Sequence, residues 1–133
     1  MKLSENFDLF LILRKIAEAS QASPKDFPVL LKLAVAENLR LSLPDAKEFE
    51  LQRNGLIEHR EKSIVKDEPL DSPTNKVFYK AFYEELKKLE DAPSDTKFRC
   101  IYESDLKEAP LTIEQISVLQ FCGIIIKNPE PPK

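Results

Sequence analysis

Histidine and cysteine most often carry nucleophilic or metal chemistry near neutral pH, and they occur in this chain only as His59, Cys100 and Cys122. A zinc site needs three or four Cys, His or carboxylate ligands, usually in close pairs. These three residues lie far apart with no C-x-x-C or H-x-x-x-H between them, so no metal site is expected. A serine or cysteine nucleophile needs a positioned base beside it. His59 sits in the polar run Glu58-His59-Arg60-Glu61-Lys62, where a solvated residue is the natural reading. A glycine-rich phosphate loop is ruled out, because the glycines are Gly55 and Gly123 alone. Carboxylates are abundant, with 23 Asp and Glu, but they fall on helix faces and in loops. A carboxylate pair assembled by the fold is the one enzymatic route left open. The sequence therefore nominates no catalytic, cofactor-binding or metal residue, and the expectation is a non-enzymatic protein without a cofactor.

The two glycines share a context. The pattern L-Q-x-x-G-[L/I]-I occurs at Leu51–Ile57 and again at Leu119–Ile125. A helix often ends with glycine in the left-handed conformation just past its cap, and the apolar residue that follows then touches the last turn. On that reading helices stop at Gly55 and Gly123, Leu51 meets Leu56, and Leu119 meets Ile124. The other reading is a weak internal duplication, about 1–65 and 69–128, in which Phe10 matches Phe78 and Leu43 matches Leu111.

The flanking elements follow from periodicity. Phe7, Phe10, Leu13, Ile16 and Ala17 predict a first helix over 4–22. Ser23-Pro24 followed by Asp26 reads as a cap and first turn, opening a helix with Phe27, Leu30, Leu31, Ala34 and Val35 on its apolar face. A third helix is expected over 43–54, capped by Ser42 with Asp45 at its third position and Phe49 and Leu51 facing inward. Ser72-Pro73 opens a fourth, lined by Phe78, Phe82, Leu86 and Leu89; Thr112, with Gln115 three residues on, opens a fifth. Residues 97–103 alternate as a strand, 124–127 read as a buried strand and 57–65 as a charged edge strand. The fold expected is mainly α (α+β): about five helices around one core with a small sheet from 57–65, 97–103 and 124–127. It forms one compact domain over 1–128, followed by a mobile proline-rich tail at 129–133.

A net charge of −3 and a pI near 5.3 provide no global basic field to draw the chain to nucleic acid or anionic lipid. The apolar run Leu9–Leu13 is too short for a signal peptide, and no stretch approaches the roughly 18 apolar residues of a membrane span. Both cysteines have apolar neighbours and read as buried, inert thiols in a reducing compartment. A cytoplasmic location without a membrane partner is expected.

Two functional readings follow, with an enzyme built on a fold-assembled carboxylate site as the third. Tyr79 and Tyr83 flank the apolar stripe of the fourth helix, and aromatic residues at such an edge are enriched in interface cores. The leading reading is a small regulatory or adaptor module acting through protein–protein contacts there, with another protein or a second copy of the chain as partner. In the alternative, a helix ending L-x-x-x-G-[L/I]-I before a charged hairpin resembles the recognition helix and wing of bacterial winged-helix regulators over residues 23–66. That resemblance implies nucleic-acid contacts by Lys47, Arg53, Arg60 and Lys62. The flanking Asp45, Glu48, Glu50, Glu58 and Glu61 leave that face near neutral, which disfavours a duplex partner.

Overall fold

Asn6, Leu9, Leu13 and Ile16 recur at helical spacing, and all four are buried along one stripe of helix α1 (Leu3–Ala22) in the computed structural model, which describes residues 1–129. The facing stripe belongs to helix α2 (Val29–Ser63), where Leu31, Val35, Asn38, Ser42, Ala46 and Phe49 follow one another at steps of three or four residues. The two helices pack antiparallel: Asn6 Nδ2 donates to the Ser42 carbonyl at 3.1 Å, and the Phe7 and Phe49 rings lie 5.0 Å apart.

Ser23-Pro24 opens only a short 3-10 helix, Pro24–Asp26. Phe27 precedes Pro28, and clash with the proline ring favours its extended conformation (φ −114°, ψ 124°), so α2 starts at Val29. Leu31, Ala34 and Val35 are buried as expected, whereas Leu30 and Leu33 are exposed.

The expected helix ends at Ser42 and Gly55 do not occur. The second and third helices are one element of 35 residues, with Pro44 inside it. The buried stripe runs unbroken past Pro44, and its packing on α1 outweighs the local stop signals. Ser42, expected as a cap, is fully buried and donates to the Leu39 carbonyl at 3.0 Å. Leu51 is exposed rather than inward-facing. Of the edge strand expected over 57–65, residues 57–63 are instead the end of α2, so the turn and wing of the winged-helix resemblance are not formed.

The second heptad does what the first does not. Helix α4 (Ile113–Phe121) ends at Cys122, and Gly123 takes φ 75°. The Ile124 N–H donates to Leu119 O at 2.9 Å and the Gly123 N–H to Gln120 O at 3.0 Å. This is the paired six-to-one and five-to-two closure of a left-handed helix stop. Helix α3 (Pro73–Asp91) and α4 start where expected: Ser72 Oγ accepts the Asn75 N–H at 3.1 Å, and Thr112 and Gln115 cap each other.

The mainly helical expectation holds, with four α-helices rather than five among the described residues. The sheet is smaller than expected: β1 (Ile101–Tyr102) pairs parallel with β2 (Ile125–Ile126), Ile101 opposite Ile125. The N-terminus is tied down separately, Leu3 N–H donating to Ala92 O and Ser94 N–H to Met1 O, both at 2.8 Å.

Two apolar clusters form the interior. One joins Leu9, Leu13 and Ile16 to Leu31, Val35, Ile101, Leu119, Ile124 and Ile125. The other joins Phe7, Ala46, Phe49 and Leu89. Cys100 is exposed, contrary to expectation, and its thiol donates to Gly123 O at 3.3 Å; Cys122 is half-buried. Residues 130–133 of the expected tail lie outside the described residues.

Candidate interaction surface

The surface singled out by Tyr79 and Tyr83 is assembled from the end of α2 and the outer flank of α3. Its entry is fixed by Asn75, which is fully buried in the first turn of α3. Asn75 Oδ1 accepts the Val65 N–H at 2.8 Å, while Nδ2 donates to Val65 O at 3.1 Å and Pro69 O at 2.9 Å. One side-chain amide therefore organises the loop over 64–72 that reverses the chain from α2 into α3. Without it those backbone groups would need water.

Beyond the loop, Phe82 and Leu89 turn inward, with Phe78 and Leu86 partly covered. Arg60 reaches across from α2, its guanidinium 4.3 Å from the Phe82 ring centre and 5.2 Å from that of Tyr79. Cation–π attraction of this kind contributes about 0.5–2 kcal/mol, more as water is excluded; the Arg60 side chain is 18% exposed. Its charge is also met by Glu61 at 3.0 Å. Tyr79 is thereby half-covered. Tyr83 is left 60% exposed, edge-on to Phe82 at 5.3 Å. Phe82 and Arg60 also line a notch of about 150 Å³, together with Leu56, His59, Phe78 and Glu85.

The four residues of the nucleic-acid reading do not gather. Arg53 lies over Phe7 (4.9 Å) and Phe49 (5.6 Å), and Arg60 over the α3 rings. Lys62 pairs with Glu58 at 2.9 Å, and Lys47 is exposed elsewhere on α2. The two arginines are held against aromatic faces rather than presented to solvent.

No three His, Cys, Asp or Glu side chains converge as a metal site requires, among the described residues. An open groove of about 800 Å³ lies between the start of α2 and residues 105–110; Asp26, Asp105 and Glu108 alternate there with Lys25 and Lys107. Asp8 lies in a shallow hollow with Phe7, Leu11 and Phe49. Partial burial, and then the charge of Glu5, raise its carboxyl above the ordinary value. No helix among the described residues is long and apolar enough to cross a membrane.

Asn75 fixes this surface, as Asn6 and Asn38 fix the packing of α1 and of residue 99 on α2, and helical periodicity does not single out any of the three. The available hint was their type: asparagine inside an amphipathic pattern, at positions where an apolar residue would continue the stripe. The chain matches no protein-family model, and no characterised protein or solved structure matches it.

Proposed function

We propose that this protein is a small non-enzymatic module, regulatory or adaptor in kind, that works by binding another protein through the α2–α3 surface around Tyr83. One observation carries the reading. Exposed Tyr83 meets Phe82 edge-on, and Phe82 together with the arginine stacked on it lines a preformed apolar notch. Tyrosine and arginine around a dry pocket are the residues in which binding energy concentrates. Arg60 and Tyr79 are already fixed by their mutual stacking, so little side-chain freedom remains to be lost on association.

The test compares the wild-type protein with Tyr83→Ala and Ala81→Glu, the second placing a charge in the notch. Each is used as immobilised bait, with Lys15→Glu on α1 as the control. Retained proteins are identified, and each affinity is measured with the purified partner. Both surface variants should weaken binding roughly thirtyfold or more, the scale of a hot-spot truncation, with unchanged helical circular dichroism. Equal affinity in all four proteins would move the contact surface elsewhere.

A further inference from the structure

The segment Ser42-Leu43-Pro44-Asp45 is written as a helix start, yet it lies in the middle of α2. Serine is a preferred N-cap, proline is tolerated in a first turn, and an acidic residue suits the third position. Within a continuous helix the same residues are a burden. Pro44 has no N–H for the Arg40 carbonyl and its ring crowds that group, which destabilises the helix there. Leu43, preceding a proline, is biased away from helical backbone. Ser42 Oγ turns back onto the Leu39 carbonyl instead of capping.

Further features fall at the same level of the molecule. Asn6, fully buried against Ser42, has no partner for its Oδ1, which weakens the packing at this level. The apolar interior also divides here, with Leu31, Ala34 and Val35 in one cluster and Ala46 and Phe49 in the other. The chain over 94–99 runs alongside as a strap, fastened on both sides. Ser94 and Thr96 donate to Asp45 Oδ2 at 2.5 and 3.1 Å, and the Arg99 backbone N–H and carbonyl bond the Asn38 side-chain amide at 2.7 and 2.9 Å.

We infer that α2 is a two-state helix hinged at Ser42–Asp45 and latched by the 94–99 strap. In the open state the helix divides at Ser42, whose Oγ leaves the Leu39 carbonyl and accepts the Asp45 N–H as an ordinary N-cap. The lobe holding β1, β2 and α4 then swings relative to the lobe that carries α3. The local sequence favours the open state. The buried stripe on α1 and the Asp45 latch favour the closed one, so two arrangements of the same packed elements compete.

Residue-resolved amide exchange on the full chain tests this, because local opening exposes chosen amides before the rest. Leu43 and Asp45 should exchange on the order of tenfold faster than Val35 and Phe49, the more deeply buried residues of the same helix on either side. Pro44→Ala should abolish the difference by restoring the missing N–H. Asp45→Ala should enlarge it at Leu43 by releasing the strap. Equal protection of Leu43 and Val35 in the wild type would overturn the hinge, as would a difference that Pro44→Ala leaves intact. A Leu43 rate unmoved by Asp45→Ala would overturn the latch.

Discussion

Asn38 pairs with Arg99 as one strand pairs with another: the Arg99 N–H donates to Oδ1 at 2.7 Å, and Nδ2 donates to the Arg99 carbonyl at 2.9 Å. A helix side chain thus replaces a neighbouring strand for the residues that lead into β1. This accounts for the short sheet. Arg99 is held by an amide, and backbone pairing takes over only at Ile101. The Arg99 guanidinium adds an ion pair with Glu37 at 3.0 Å, half-exposed and worth little.

Replacing Asn38 by alanine leaves a donor and an acceptor of Arg99 without partners in a part-buried place, and hollows the α1–α2 stripe. The expected loss is about 2–4 kcal/mol, read from urea unfolding. Asn38→Asp keeps the size and the acceptor but loses the donor, and turns a charge toward the Arg99 carbonyl. It should therefore be no better than alanine. If Asn38→Ala lost less than about 0.5 kcal/mol, the surface range, the pairing would be incidental.

Asn75 plays the same part for the 64–72 loop, and here the expected failure is local. Asn75→Ala releases the Val65 N–H and the Val65 and Pro69 carbonyls together. Brief native-state trypsin treatment should then cut after Lys66, with little change in the α1–α2 core. Ser72→Ala, which removes only the cap to Asn75 N–H, should cost about 1 kcal/mol. Equal resistance of Asn75→Ala and wild type to trypsin would show that the loop is held by other means.

The two thiols should separate by reactivity. Cys100 is exposed. Burial, and then the charges of Glu5 and Asp8, push the Cys122 thiol up to about 11. Near pH 8 an alkylating reagent should label Cys100 and spare Cys122 until denaturant is added. Because the folded value lies above the unfolded one, Cys122 favours the folded state fully at pH below its ordinary value of 9.0, and that contribution is lost as pH rises toward about 11. Unfolding midpoints between pH 8 and 10.5 should accordingly fall less in Cys122→Ala than in wild type. Parallel curves would show that the thiol is ionised as easily in the folded protein.

How far the sequence was legible depended on whether each signal was local. Ser72-Pro73 and Thr112 with Gln115 cap helices because both partners lie within one turn. Ser42-Leu43-Pro44-Asp45 spells the same start and is overridden, because the stripe from Leu31 to Phe49 continues the packing on α1 across it. That competition is decided by Asn6, Leu9 and Leu13, which lie far back in the chain. At the candidate surface Tyr83 was visible as the edge of an amphipathic pattern. Arg60, read as a nucleic-acid contact, was taken up by Phe82 and Tyr79, which only the fold brings to it.

The paired heptads give the sharpest contrast, since one motif holds two conformations. Gly55 lies within α2, where an added Cβ would meet nothing within 4 Å. Alanine there reduces the freedom of the unfolded chain and strains nothing, so Gly55→Ala should stabilise by about 0.5–1 kcal/mol. Gly123 holds φ 75° at the end of α4, and the space around it is equally open. The obstacle is its backbone, which costs a residue with a Cβ about 1–2 kcal/mol. Gly123→Ala should therefore destabilise by that amount, and thermal midpoints should move in opposite directions. A shift of the same sign in both variants would mean that the heptads share a conformation, and that α2 does not run through Gly55.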